Sequence, residues 1–246
     1  MRTLGILSLP VLASALLCGC ASTSDQTDGA RAEYDPWEPF NRKMYAVNQF
    51  VDHSLFRPLA KGYETVVPTF ARRGVSNFFD NLLTPRSALN NFLQGQPGQG
   101  FSEFARFFVN STIGVGGLFD IAGRGGMQRY DEDFAQTLAV WGLPAGPYVM
   151  FPITGPHTLL DAVALPVDVY SDLLVHTDQS AVRDKLYVLR VIDLRYRLLA
   201  ADKFLEDSTD PYITLRESYL QNREYEIYDG DPPEDDDFYD EFLDLN

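Results

Sequence analysis

The chain has 246 residues, with 35 Asp and Glu against 20 Lys and Arg, a formal net charge of −15. That balance excludes nucleic acid as a partner, whose phosphates demand Lys and Arg, and it excludes a broad basic patch for anionic headgroups. Apolar residues make up 45% of the chain, and its length is enough for one sizeable body.

Arg2 is the only charge before Asp25, and Leu4 to Leu17 are mostly Leu, Ala, Val and Ile. This is the outline of a secretory signal segment, interrupted by Pro10 and too short for a permanent span. It ends in Leu17-Cys18-Gly19-Cys20, the order of a bacterial lipobox. The expectation is removal of residues 1–19 and lipidation of Cys20, palmitate-type acylation included. A disulfide between Cys18 and Cys20 is disfavoured, since neighbours two apart rarely meet its geometry. Ala21 rather than Asp follows the cysteine, which favours the outer membrane over inner-membrane retention. Residues 20–34 are rich in Ser, Thr, Asp and Gly and read as a flexible tether.

Structure is expected from Asp35 onward. Asp35 can cap, Pro36 sits at the first helical position, and Trp37, Phe40, Met44, Val47, Val51 and Leu55 form one helical stripe. Thr84-Pro85 is expected to open a second helix that buries Leu89, Phe92 and Leu93 and stops near Gly95. Residues 101–110 group Phe101, Phe104, Ala105 and Phe108, with Arg106 on the far side. Residues 134–160 carry no formal charge, but seven prolines and glycines forbid a continuous helix there. A buried irregular segment and a membrane-embedded one fit this composition equally. A long helix follows, striped by Val182, Leu186, Leu189, Ile192, Tyr196 and Leu199, and Asp210-Pro211 opens a last one through about Tyr225. No sustained two-residue alternation is found, so the expectation is a mainly α body over residues 35–228. Residues 229–246 hold nine acidic and no basic residues and read as a solvated, disordered tail.

Signatures of chemistry are few. The three histidines are scattered, no G-x-S-x-G or Walker A sequence occurs, and no cofactor motif is complete. Gly114-x-Gly116 lacks the third glycine of a dinucleotide fingerprint, Phe119 standing in its place. Gly114, Gly116 and Gly117 therefore suit close packing or a hinge.

The segments DPWEPFNRKMYAVNQFVD, VSNFFDNLLTPRSALNNFLQG, RFFVNSTIGVGGLFDIA, EDFAQTLAVWGLPAGPYVMFPITGP and DSTDPYITLRESYLQNR occur in this order. Together they resemble the MlaA/VacJ family of outer-membrane phospholipid-transport lipoproteins, from Asp35 to about Tyr228. One departure is Leu160, where the family commonly has Arg before the Asp that here is Asp161. The resemblance implies a ring of amphipathic helices around a polar channel, lying in the inner leaflet of the outer membrane at its periplasmic face. It implies removal of phospholipid from the outer leaflet beside a trimeric porin, and delivery to a soluble periplasmic phospholipid-binding protein. The activity implied is transport without catalysis. A porin-associated structural lipoprotein is the alternative, and a phospholipase a more distant one.

On this reading Trp37, Phe40, Phe78, Phe79, Phe92, Phe104 and Phe108 face the membrane, as interfacial helices require. Asn41, Asn48, Asn91 and Asp161 are channel candidates, with buried helix–helix or turn hydrogen bonding the competing use for the asparagines.

Overall fold

A computed structural model describes residues 34–233. The expected signal segment, Cys20 and the tether to residue 33, and the acidic tail from residue 234 onward lie outside the described residues. Within them the protein is mainly α-helical.

The first rod combines α1 (Glu38–Val51), a π-helical turn (Asp52–Phe56) and α2 (Arg57–Val66). Pro58, at the second position of α2, lacks the N–H that the regular ladder needs, which accounts for the widened turn before it. α3 (Thr69–Leu93) and α4 (Pro97–Thr112) then form a helical hairpin. Its corner is closed by Gly95 in the left-handed region and by Gln96 N–H donating to Asn91 O at 2.9 Å. A Cβ on Gly100 would lie 2.9 Å from the ring of Phe92, so the close approach of α4 requires glycine at that position.

The short helix α5 (Ile121–Arg124) and α6 (Phe134–Val140) lead to strands β1 (Tyr148–Phe151) and β2 (Gly155–Thr158), which pair antiparallel with Tyr148 opposite Thr158. α7 (Leu159–Ser171), a 3-10 turn (Leu173–His176), α8 (Ser180–Glu206) and α9 (Pro211–Ile227) complete the order. Capping boxes start α6 at Asp133 with Gln136 and α7 at Thr158 with Asp161.

Packing runs in a closed circuit. α1 lies on β1, β2 on α7, α7 on the 3-10 turn, that turn on α8, and α8 on α2, which rejoins α1 through the π turn. α9 packs against α6, α8 and β2, and α3 against α6, α7 and α8. No described helix is long and apolar enough to cross a membrane.

The burial pattern is inverted relative to an ordinary water-soluble domain. Among the described residues twelve apolar and eighteen polar or charged residues are buried, while thirty-eight large apolar side chains are exposed. The two small apolar clusters centre on Ala135, Leu160 and Ala164 and on Tyr148, Met150 and Tyr212.

Several local expectations change. α1 starts at Glu38 with Trp37 as its cap, and Asp35 instead turns inward as an ion-pair partner. Pro85 lies inside α3, which begins sixteen residues before it at Thr69; Thr84 Oγ1 donates to Asp80 O in the turn that the proline weakens. Leu89, Phe92 and Leu93, expected to be buried, are all exposed, so α3 turns this face outward. The uncharged segment contains a short hairpin, missed because Tyr148, Val149 and Met150 are all buried and show no alternation.

Candidate functional site

The outer surface is built by helices that turn their aromatic sides away from the body. On α4 Phe101, Phe104 and Phe108 are 67%, 58% and 63% exposed, and Gly100, Glu103, Arg106 and Asn110 are buried on the other side. Phe50 and Phe70 are exposed further still, and α7 exposes Leu159, Val163, Val167, Val169 and Tyr170. Of the residues expected to face lipid, Trp37, Phe40, Phe92, Phe104 and Phe108 are exposed and Phe78 is half-buried. Phe79 is the exception at 2% exposed. Adjacent helix positions diverge by about 100°, so only one of the Phe78–Phe79 pair can point outward. Phe79 packs inside, edge to face with Phe78 at 5.3 Å.

The inner faces are held together by polar groups. Asn41 donates from Nδ2 to Tyr148 O at 3.2 Å and accepts the Met150 N–H at 2.9 Å. One helical stretch later, Asn48 donates to Phe151 O at 2.8 Å and accepts the Ile153 N–H at 2.7 Å. The two amides thus substitute for a neighbouring strand along the free edge of β1. Both ends of each amide are thus bonded to backbone, the hydrogen-bonding use that competes with a place on a channel wall. Asn91, fully buried, donates to Ser87 O and Tyr130 O at the α3–α4 corner, a packing role again.

Asp161 belongs to an ion cluster on the inner side of α7. Its carboxylate accepts from the Tyr219 hydroxyl and lies 2.8 Å from Arg223 on α9. Arg223 also reaches both oxygens of Asp133 at 2.7 Å. Burial alone would raise the Asp133 pKa, but the hydrogen bonds and charge of Arg223 hold it below the ordinary carboxylate value. A second buried pair, Arg216 with Asp35 at 3.0 Å, ties α9 to the start of α1, and Tyr212 and Asn41 donate to the same carboxylate. A third centre is Asp193 on α8, which accepts from Ser76 at 2.9 Å and from Arg197 at 2.9 Å.

None of the arginines 106, 216 or 223 was singled out as a site from sequence. The spacing of Glu103, Arg106 and Asn110 on α4 was the available signal, since it is as helical as that of the phenylalanines. These groups anchor the loop beyond α4: Arg106 donates to Met127 O at 2.6 Å, Asn110 to Asp120 at 3.0 Å, and Glu103 accepts the Tyr130 N–H at 2.7 Å.

The glycine loop separates into two physical cases. A Cβ on Gly114 would lie 2.3 Å from Phe119 O, and one on Gly117, at φ +89°, would lie 2.6 Å from Asn81. Gly116 faces open space and is required only for its φ of +68°. Gly114→Ala should therefore cost about 3 kcal/mol through overpacking, and Gly116→Ala about 1 kcal/mol through its left-handed backbone. Thermal melts of the two variants check this ordering; equal losses would contradict it.

Glu132 is buried at the α3–α6 junction, where Gln94 donates to it at 2.8 Å. Its pKa is pushed up to about 8, first by burial and then by Asp229 and Asp133, against the lowering effect of Gln94. The folded protein then binds more protons than the unfolded chain between the ordinary value of 4.5 and about 8. Stability contributed by this group is full below that window and falls as pH rises through it. Melts from pH 6 to 9 should show the decline in the wild type and a flatter profile in Glu132→Gln.

A helical body with apolar side chains outside and hydrogen-bonded charge inside has a surface suited to contact with lipid. The chain belongs to the MlaA lipoprotein family, whose pattern matches residues 33–226. It is 39% identical to the intermembrane phospholipid transport system lipoprotein MlaA of Escherichia coli, covering 89% of this chain and 87% of that one. The Haemophilus influenzae protein of the same name is 33% identical over 94% and 93% of the two chains. A solved structure, from work on the structural basis for maintenance of bacterial outer membrane lipid asymmetry, superposes with a TM-score of 0.70 at 38% identity. It covers 78% of this chain and 98% of its own.

Proposed function

We propose that this protein is an outer-membrane lipoprotein that withdraws phospholipid from the outer leaflet through a polar passage and passes it to a soluble periplasmic carrier. It maintains the lipid asymmetry of the membrane and acts without catalysing a reaction. Its body rests in the inner leaflet at the periplasmic face, anchored by lipidated Cys20, beside a trimeric porin. The observation that carries this reading is the inverted packing: aromatic faces outward on α1, α3 and α4, and ion pairs inward. The names of the E. coli and H. influenzae relatives support the cargo.

A conduit is needed for a physical reason. A diacyl lipid has roughly 30 methylenes, and at about 0.8 kcal/mol each their exposure to water costs on the order of 25 kcal/mol. A polar passage for the headgroup, with the tails left in hydrocarbon, removes most of that barrier.

The test is to label accessible outer-leaflet phospholipid in a deletion strain and in the strain complemented with this chain. The deletion should accumulate label and complementation should abolish it. Equal labelling in both would leave the porin-associated structural role as the better reading.

A further inference from the structure

Residues 134–160 carry no formal charge, and the fold divides them into two parts. Ala135, Tyr148, Met150 and Leu160 are buried, whereas Val140, Trp141, Leu143, Ile153 and Leu159 are exposed. The most exposed of these, Ile153 at 69%, stands at the tip of the β1–β2 hairpin. Its φ is +70°, and the Thr154 N–H donates to Pro152 O at 2.9 Å. Together these make a γ-turn of the positive-φ form, which is rare and strained. For a β-branched residue that backbone is a true outlier, one that glycine or asparagine would occupy with less strain.

At that exposure the side chain has little of the protein to pack against, so the strain is not offset within the chain. The N–H groups of the tip, by contrast, all have partners inside it. Pro152 has none to place, Ile153 N–H donates to Asn48 Oδ1 at 2.7 Å, and Thr154 N–H closes the turn. Asn48 also donates to Phe151 O at 2.8 Å. A turn in water needs no such provision, since water serves as the partner. Where water is scarce, each unpaired donor is costly. Val47 and Phe50, on either side of Asn48 in α1, are exposed as well, so the tip continues an apolar surface.

We propose that the β1–β2 hairpin tip is a membrane-insertion point, with Ile153 entering the acyl chains just below the headgroups while Asn48 holds the turn closed. Removal of the isoleucine side chain from water then offsets the strain of the turn. The occupant is a lipid surface rather than a protein groove, because residues 134–160 offer no charge with which a protein partner would fix its register. This rests on the transport reading above and adds the element by which the body is seated in its leaflet.

The test uses the full chain with Cys18 and Cys20 replaced by Ala, and vesicles of phosphatidylethanolamine and phosphatidylglycerol. A bimane dye on Ile153→Cys should shift its emission to the blue when vesicles are added. A nitroxide near the top of the lipid acyl chain should quench it more than a water-soluble quencher does. A dye that stays open to the water-soluble quencher, or a chain that does not bind the vesicles, overturns the assignment. Ile153→Asn should lower vesicle partitioning about tenfold and raise the melting temperature by about 3 °C through relief of the turn. Ile153→Leu, still apolar, should partition as the parent does. An Ile153→Asn chain that melts earlier than its parent would assign the side chain to packing and sink the proposal. If the dye stays wet while the wild-type chain restores asymmetry in the deletion strain, the hairpin assignment fails and the transport reading stands. If deletion leaves outer-leaflet phospholipid unchanged while the dye is quenched from the acyl region, the transport reading fails and the insertion point stands.

Discussion

Replacing Phe101, Phe104 and Phe108 together by Asp is expected to release the protein body from membranes while leaving it folded. Fully burying a phenylalanine side chain away from water is worth roughly 1.5–3 kcal/mol, so three of them supply about 6 kcal/mol. At about 1.4 kcal/mol per tenfold, that is a loss of about four orders of magnitude in partitioning. The substitution touches little inside, because all three rings are exposed and the groups that hold α4 in place lie on its opposite face. The lipid proposed for Cys20 would mask the effect, so the measurement is flotation of a Cys20→Ala form with phospholipid vesicles. A triple variant that floats as well as its parent would show that the aromatic belt does not meet lipid. One that floats less but also melts earlier would locate the rings in packing instead.

The second large effect concerns Arg223. Its guanidinium is buried among Asp133, Asp161 and Glu226, with the Tyr219 hydroxyl donating to Asp161. Arg223→Leu leaves two carboxylates in the interior without their cation. Breaking a buried pair in this way typically costs about 3–5 kcal/mol, most of it the penalty of the stranded charge. For a body of this size, that corresponds to a fall in melting temperature of about 10 °C. Adding Asp133→Asn and Asp161→Asn in the same chain removes the stranded charges and should recover part of the loss. If the single variant melts within a degree or two of wild type, the cluster is solvated and contributes little. If the triple variant is no better than the single one, the loss is one of packing.

Much of the architecture was legible because helical spacing leaves a mark. The stripe from Trp37 to Leu55 runs through a rod that is helical over its whole length, π turn included, and Asp210 caps α9 as its position before Pro211 suggests. The hairpin was not legible, since a strand buried on both faces lacks alternation and its free edge is covered by side chains from α1 rather than by another strand. Pro85 misled for a related reason: proline favours a helix start, yet the packing of α3 on α4 carries the helix through it. Asn41 and Asn48 could be recognised as polar positions beside an apolar stripe, but their partners are about a hundred residues away in the chain.

The sequence by itself determined that these helices have two faces, since the spacing of Phe, Leu and Val against Asn, Asp and Arg is a local property of 3.6-residue geometry. Which face turns inward was decided only by tertiary structure. An amphipathic pattern defines an axis across a helix, and burial follows that axis in either direction depending on whether water or hydrocarbon lies outside. Here Arg216 and Arg223 find carboxylates from distant segments and Arg106 finds Asp120 in the loop that follows its helix, and those pairings close the interior and leave the aromatic faces for the surroundings.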